Sequence, residues 1–183
     1  MNRYEALQEL KIRIFDRDLI RHSLAVEAIM KGLASYFKED EVKWGLAGLL
    51  HDIDYNEVAT NNSEQSLVAT KLLRDLKLDE SIIYAIKAQK DNNKTPRQRK
   101  IDRALYSANL VSELIDATVL DNNTQKLENV NSDFLFKKIN GESFGKGINM
   151  EGITNCTEMG MSLKKFLDIS LNAVKRAPYD LDL

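Results

Sequence analysis

The residues that break helices and those that cross-link chains are both scarce in this sequence. Its 183 residues include two prolines, eight glycines and one cysteine. Long helices are therefore permitted, and the single Cys156 excludes an internal disulfide, as is usual in a reducing, cytoplasmic compartment. Long apolar runs are missing too, and the longest, around residues 45–50, is far too short to span a bilayer. We therefore expect a cytoplasmic protein with no membrane partner.

A strong excess of one charge is absent as well. The chain has 26 Lys and Arg against 28 Asp and Glu, which gives a net charge of −2 and a pI of about 5.8. This balance argues against a protein whose main task is to hold a nucleic-acid backbone. With 43% hydrophobic and 30% charged residues, the composition is that of a soluble globular protein. The length suits one domain, so we expect a single domain over residues 1–183.

Apolar residues recur at steps of three and four, the spacing of amphipathic helices. The pattern predicts a helix over Arg17–Phe37 and a second one that Asp40 caps and that extends to Ile53. The second is apolar on nearly every side and should be the buried central helix. Further helices are predicted at 63–76, 79–90, 98–120, 134–139, 150–159 and 162–174, the first three capped by Ser63, Asp79 and Thr95. Loops are expected at 91–94, 121–131 and 141–147, and a loose tail at 178–183. No segment has the period of a strand, so we predict an all-α bundle of about seven to nine helices.

The chain has only two histidines, and one of them ends the apolar helix in the run His51-Asp52-Ile53-Asp54. This run puts ionisable groups beside the core, where they are costly without partners. A divalent metal ion satisfies imidazole and carboxylate together. The alternative is that His51 hydrogen-bonds at a helix end while the two aspartates face water, and that His22 is an ordinary core residue beside an apolar stripe.

Two segments, RHSLAVEAIM at 21–30 and WGLAGLLHDIDY at 44–55, resemble the HD superfamily of metal-dependent phosphohydrolases. They are most similar to a bacterial branch labelled HDIG-domain proteins. The family pattern is a His, then a His-Asp pair, then a distant Asp on a later helix. The motif part covers residues 15–120, and the segment 132–176 also resembles that branch. The resemblance implies an HD-type helical bundle.

The resemblance also implies a metal site, with His22, His51, Asp52 and Asn109 as ligands. Asn109 stands where the family usually has the last Asp, in Ala-Leu-Tyr-Ser-Ala-Asn. The branch often has further histidines at two places. This chain has Gln89 at one of them, and Glu64 and Gln65 at the other. Two-metal members use such histidines, so we expect one divalent ion, of Mn, Mg, Fe, Zn, Co or Ni.

The amide of Asn109 has a physical consequence for such a site. Two imidazoles and two carboxylates balance a divalent ion, whereas an amide in place of one carboxylate leaves the site one unit positive and more weakly binding, although its oxygen still coordinates hard ions. Asp102 and Asp116 are each seven residues away on the same helix face. At about 10 Å they cannot supply the missing carboxylate without a shift, and a solvated helix edge is their simpler interpretation.

A metal ion of this kind polarises a phosphate oxygen and lowers the pKa of a bound water. Asp52 is then the carboxylate ligand nearest that water, and Asp54 or Glu57 orients or protonates the reacting groups. Gln89 and Lys87 are candidates for binding the phosphate, together with two further lysines, Lys90 and Lys94. The alternative interpretation is that these carboxylates and lysines form solvated surface.

Three functions remain open from the sequence. The first is a mononuclear phosphohydrolase acting on a nucleotide or other small phosphate ester. The second is a degenerate HD domain that binds a phosphate ligand or a protein without turnover. The third is a nucleic-acid-binding accessory domain, against which the acidic pI counts. If the metal site exists, the rings of His22 and His51 must lie within about 10 Å of each other, because ligands bind at ~2 Å from one ion.

Overall fold

A computed structural model describes the backbone of residues 1–58, 65–90, 95–121, 126–140 and 148–177, with side chains for all of these except 57–58, 65–69 and 121. The described residues form helices and no strand, which confirms the all-α prediction. The α-helices are α1 Arg3–Arg13, α2 Arg17–Phe37, α3 Glu41–Leu49, α4 Tyr55–Val58, α5 Gln65–Asp75, α6 Glu80–Ala88, α7 Lys100–Asp121, α8 Ser132–Ile139, α9 Met150–Thr154 and α10 Leu163–Arg176. Two 3₁₀ segments, Leu127–Asn129 and Asn155–Met159, lie between the later helices. None of the described helices is both long and apolar enough to cross a membrane.

Short polar side chains fix where several helices begin. Asp16 accepts hydrogen bonds from the first backbone N–H groups of α2, Asp40 does so for α3, and Asp79 does so for α6. These caps satisfy donors that have no partner inside the helix. The predicted caps at positions 40 and 79 are therefore confirmed, whereas Ser63 lies outside the described residues.

Among the helix boundaries that differ from the prediction, two bear on the site. Helix α3 ends at Leu49 rather than Ile53, so residues 50–54 form turns that leave the helix axis. Helix α7 begins at Lys100, and Thr95 does not cap it. Instead the buried carboxylate of Asp102, in the first turn of α7, accepts a hydrogen bond from the backbone N–H of Arg99. This contact satisfies a backbone donor at the start of the helix, as a cap does. The expectation that Asp102 lies on a solvated helix edge is wrong.

The core forms around α2, which packs against α3, α7 and α10. Its fully buried side chains come from all four helices and the turn after α3: Ile29, Met30, Leu33, Leu49, Leu50, Leu105, Val111, Leu114, Phe166 and Leu167. The run from Trp44 to Leu49 is buried throughout, as expected for a central helix. Gly48 permits its close approach to α2, because a Cβ there would lie 2.8 Å from the Val26 carbonyl oxygen and 2.9 Å from Glu27 Cα. This tight contact sets the position of the turn at His51.

The predicted loops are only partly testable. Residues 91–94 and 141–147 and the predicted loose tail at 178–183 lie outside the described residues. Within the predicted loop 121–131, residue 121 still belongs to α7, and Leu127–Asn129 form a 3₁₀ turn.

Candidate metal centre

Three parts of the fold meet at one point: α2 contributes His22, the turn after α3 contributes His51 and Asp52, and α7 contributes Asn109. The His22 and His51 ring centroids are 5.2 Å apart, well inside the limit set by a shared ion. His22 Nε2 lies 2.7 Å from Asn109 Oδ1. Because an amide oxygen only accepts, the imidazole donates in this contact. Residues separated by 87 positions in the chain are thus in direct contact.

His51 is completely buried, and its two ring nitrogens have different environments. Nδ1 lies 2.8 Å from the carbonyl oxygen of Gly48, so it carries a proton and donates. Nε2 is buried without a hydrogen-bond partner among the described residues, and it lies 3.2 Å from Asp52 Oδ2. In the neutral ring this nitrogen has only a lone pair, and it faces a carboxylate that also has only lone pairs. A cation, either a proton on Nε2 or a metal ion, is needed to make this arrangement favourable.

His22, His51 and Asp52 each offer a ligand atom, and these atoms all lie within 4.8 Å of one another. Two ligands at ~2.1 Å from one ion are at most ~4.2 Å apart. Small side-chain adjustments are therefore enough to bring all three onto one ion, and the cluster could hold a metal. The oxygen of Asn109 accepts from His22, and it becomes available as a fourth ligand when a metal displaces that hydrogen bond, in the place where the sequence suggested it.

The two histidines differ in charge state: His22 is held neutral, whereas His51 beside Asp52 favours a proton that a bound metal would replace. Burial and, to a smaller extent, the neighbouring His51 lower the pKa of His22 to about 4, against the opposing effects of Asp52 and of the hydrogen bond to Asn109. His22 is therefore neutral near pH 7, as coordination requires. Burial also acts to lower the pKa of His51, but the charge of Asp52 and the hydrogen bonds of the ring outweigh it, and the pKa is raised. The pKa of Asp52 is held well below its ordinary range against the effect of burial, mainly by His51.

Gln89 contacts the turn that carries His51 and Asp52. Its side-chain nitrogen is 3.1 Å from the carbonyl oxygen of His51 and 3.4 Å from Asp52 Oδ1, and the residue is buried. Its donor group is thus used within the protein, to hold the His-Asp turn in place. The sequence suggested that Gln89 and Lys87 bind substrate, but Lys87 is exposed on α6. The charge of Lys90, rather than that of Lys87, is among those that shift the pKa values of His51 and Asp52.

Asp54 has a different environment from the one expected for a catalytic group. Its carboxylate is fully buried, and Lys90 Nζ binds its two oxygens at 2.8 and 2.9 Å. Both oxygens of this carboxylate are thus engaged by one ammonium group inside the protein. The geometry favours a structural role for Asp54, which ties the turn after α3 to the end of α6. Of the other residues suggested from the sequence, the side chains of Glu57 and Lys94 lie outside the described part.

Sequence reasoning overlooked Glu113. It lies one helical turn beyond Asn109 on α7 with its side chain exposed, and partial burial together with the charge of Asp52 raises the pKa of its carboxyl. The signal was present in the sequence, because positions i and i+4 share a helix face.

A cleft of about 490 Å³ lies further along α2 and α7. Its polar lining consists of Asp18, Arg21 and Asp116, and its apolar lining includes Val119 and Leu127. The charge of Asp116 acts on Glu113, and Glu113 in turn interacts with Asp52 and His51. The cleft and the metal cluster are therefore electrostatic neighbours along the same pair of helices. Its mixed lining and its size are typical of small-molecule sites.

Comparison with family models agrees with this geometry. The model described as HD domain matches residues 19–124, more than half of the chain, and this range contains all four residues of the cluster. The chain belongs to the HD domain family. A search of curated proteins and a search of solved structures each found no match.

Proposed function

We propose that this protein is a mononuclear metal-dependent phosphohydrolase of the cytoplasm, acting on a nucleotide or another small phosphate ester. One observation carries the proposal: a buried imidazole nitrogen of His51, without a hydrogen-bond partner among the described residues, faces the carboxylate of Asp52 at 3.2 Å. Two acceptors at this distance require a cation between them, which is a proton in the metal-free protein and a metal ion in the proposed centre. His22 and the oxygen of Asn109 lie close enough to complete its coordination.

The proposed ligands are His22, His51, Asp52 and Asn109, and the ion is one divalent metal of the Mn, Mg, Fe, Zn, Co or Ni group. Bound there, the metal supplies Lewis acidity to a phosphate oxygen and acidifies a water. The other roles, orientation and proton transfer, belong to protein side chains. Asp52 has one carboxylate oxygen near Gln89 and the other near His51, which fixes its orientation. As the only anionic ligand of the four, it is also placed to accept a proton from the attacking water.

The cleft beside α7 is the proposed site for the non-phosphate part of the ester. Its apolar wall suits a base or another flat organic group, and Arg21 gives it a cation at the rim, where an anionic substrate oxygen can bind. Arg21 pairs with Asp18 at 3.1 Å and is largely exposed, so exchanging this partner for a phosphate oxygen costs little. The volume of the cleft, about 490 Å³, suits a small phosphate-containing partner.

One observation favours the second candidate function, a phosphate- or protein-binding module without turnover. In the described geometry His22 Nε2 donates to Asn109, so a metal bound at that nitrogen must displace the hydrogen bond and shift the proton to Nδ1. A neutral amide also gives the ion less charge than a carboxylate. Both effects lower metal affinity, and a protein that retains no metal would keep the fold and the cleft but lose the chemistry.

The test compares metal content and hydrolysis in the wild type, Asp52→Ala and His22→Ala. Each protein is incubated with Mn²⁺, desalted, analysed for bound metal and assayed against a panel of nucleotides and sugar phosphates. We expect both variants to lose metal and activity by about 100-fold or more, because each removes a ligand, while circular dichroism shows an unchanged helical content. The exposed Asp75→Ala is the matched control and should behave as the wild type. Unchanged turnover in Asp52→Ala would refute the hydrolase, and absence of metal in the wild type would leave the binding module.

A further inference from the structure

The side-chain amide of Gln89 faces two oxygen atoms of the turn that carries the metal cluster. Its nitrogen lies 3.1 Å from the carbonyl oxygen of His51 and 3.4 Å from Asp52 Oδ1. Both of these atoms only accept hydrogen bonds, so the NH₂ group of the amide, and not its oxygen, must point toward them. The group has two hydrogens, one for each acceptor. The surroundings of Gln89 therefore determine which way its amide is turned.

The two carboxylate oxygens of Asp52 have different neighbours. Oδ1 lies beside the amide of Gln89, whereas Oδ2 lies 3.2 Å from His51 Nε2. That nitrogen is buried and has no hydrogen-bond partner within the described part of the chain. An ion shared by His51 and Asp52 therefore belongs on the Oδ2 side of the carboxylate. Oδ1 is left to the hydrogen bond from Gln89.

The position of Gln89 is set by the packing of α6. The residue is the C-cap of this helix, and its backbone N–H donates to the carbonyl oxygen of Ala85 at 3.0 Å. Helix α6 packs against both α3 and α7, and Gln89 itself is only 6% exposed. A buried side chain at this point has few other rotamers to adopt. The amide is thus held against the turn by the fold itself.

We propose that Gln89 is a positioning residue that holds Oδ1 of Asp52 away from the metal, so that Asp52 binds the ion through Oδ2 alone. This inference rests on the proposed metal site. A carboxylate can bind one ion through one oxygen or through both, and hydrogen bonds from neighbouring groups orient such ligands. With one atom from each of the four proposed ligands, an octahedral ion keeps about two positions for water or a phosphate oxygen. Binding through both oxygens of Asp52 would occupy one of these positions.

The test counts the water molecules on protein-bound Mn²⁺ by water proton relaxation. The full chain is used, at a Mn²⁺ concentration that titration calorimetry shows to be saturating. Gln89→Met keeps the length of the side chain but removes the donor, so Oδ1 should turn onto the ion and displace a water. We expect the relaxation enhancement per bound ion to fall to about half, since one of about two water positions is lost. Gln89→Leu is measured in parallel as a second donor-free variant, and circular dichroism checks the fold of both.

A matched control separates this role from general loosening of the turn. Asp54→Asn combined with Lys90→Met removes the other contact between the end of α6 and the same turn, without changing the net charge. It leaves Gln89 in place, so the relaxation enhancement per bound ion should match that of the wild type. An equal fall in this control would show that loosening, and not the lost donor, changes the coordination, and would refute the role of Gln89.

The remaining outcomes distinguish Gln89 from the metal site itself. If Asp52→Ala abolishes Mn²⁺ binding while the two Gln89 variants give the relaxation enhancement of the wild type, the metal site stands and the role of Gln89 is refuted. Complete loss of Mn²⁺ binding in both folded Gln89 variants would also contradict the proposal, because Gln89 is not itself a ligand in it. If the wild type binds no Mn²⁺ at all, the proposed function falls and this inference falls with it.

Discussion

Asp52 and Asp54 are two residues apart in the same turn, yet their surroundings are opposite in kind. Asp54 is fully buried, and both of its oxygens bind Lys90. Asp52 is 24% exposed, and its nearest charged neighbour is a histidine nitrogen that offers no proton in the neutral ring. One carboxylate is fully satisfied by the protein, and the other is satisfied only when a cation joins it.

The difference shows that one turn carries both a structural carboxylate, that of Asp54, and a candidate metal ligand, Asp52. The ion pair of Asp54 joins the end of α3 to the end of α6 and needs nothing from solution. The open side of Asp52 faces α2 and α7, where His22 and Asn109 lie. A fold that fixes one carboxylate firmly can hold its neighbour in an arrangement that is unfavourable without a ligand. Functional residues are commonly found in such locally unsatisfied positions.

The largest expected effect follows from removing the carboxylate of Asp54, which is paired with Lys90. Asp54→Ala leaves the largely buried Lys90 without its partner, so the free energy of unfolding should fall by about 3–5 kcal/mol, as for other buried ion pairs that lose one member. Asp52→Ala, measured in the presence of a chelator, should cost less than about 1.5 kcal/mol because its side chain reaches water. Urea denaturation followed by circular dichroism gives both values.

A double variant provides the control for this contrast. Asp54→Asn combined with Lys90→Met removes both charges and should recover part of the lost stability, because a neutral pair has no unpaired buried charge. If Asp54→Ala and Asp52→Ala proved equally destabilising in chelator, the division into a structural and an open carboxylate would be wrong.

The next largest effect concerns the proposed metal ligands around Asp52. Asn109→Asp places a carboxylate beside His22 and close to Asp52, so metal affinity should rise on the order of 10-fold. Without metal the same change brings like charges together and should lower the melting temperature. We expect excess Mn²⁺ to raise the melting temperature of the Asn109→Asp variant far more than that of the wild type. Equal responses to Mn²⁺ and to chelator in the two proteins would show that position 109 does not act on the ion.

The sequence predicted which helices carry or precede the site residues and that these residues lie close together. The apolar periodicity located α2, α3 and α7, and the positions of His22 on α2, His51 just after α3 and Asn109 on α7 brought the three residues together as expected. These features depend on packing, which apolar spacing encodes directly. The family resemblance supplied the pairing of distant segments, which periodicity alone does not give.

The partners of the polar side chains were not predictable in the same way. That Lys90 binds Asp54, and that Gln89 supports Asp52, depends on how the end of α6 meets the turn after α3. Such a meeting depends on loop geometry and not on the spacing within any one helix. Asp102 shows the same limit, since its carboxylate is buried at the start of α7, where the sequence pattern offered only Thr95 as a cap. Sequence patterns identify which groups are ionisable, and tertiary contacts decide which of them are satisfied.

The smallest expected effect concerns the protonation of the cluster without metal. Burial lowers the pKa of His22 in the folded state to about 4, below the ~6.5 of an unfolded chain. Between these values the unfolded state binds more protons than the folded state, so stability must fall as the pH is lowered from about 6.5 to about 4. The raised pKa of His51 acts in another range, because its stabilising effect is complete below ~6.5 and is lost as the pH rises above that value.

In the window between pH 4 and 6.5, His22 lowers stability on acidification, whereas the raised pKa values of Glu113 and Asp116 act with the opposite sign. The contribution of His22 is therefore the difference between the wild type and His22→Gln, measured by urea denaturation of the chelator-treated proteins at a series of pH values. In His22→Gln the ring that resists protonation is gone, so the slope should become shallower while the decline at lower pH, which belongs to carboxylates such as Asp52, remains. An unchanged slope in His22→Gln would mean that His22 is as easily protonated in the folded protein as in the unfolded chain. The neutral imidazole that the metal centre requires would then not be maintained by the fold.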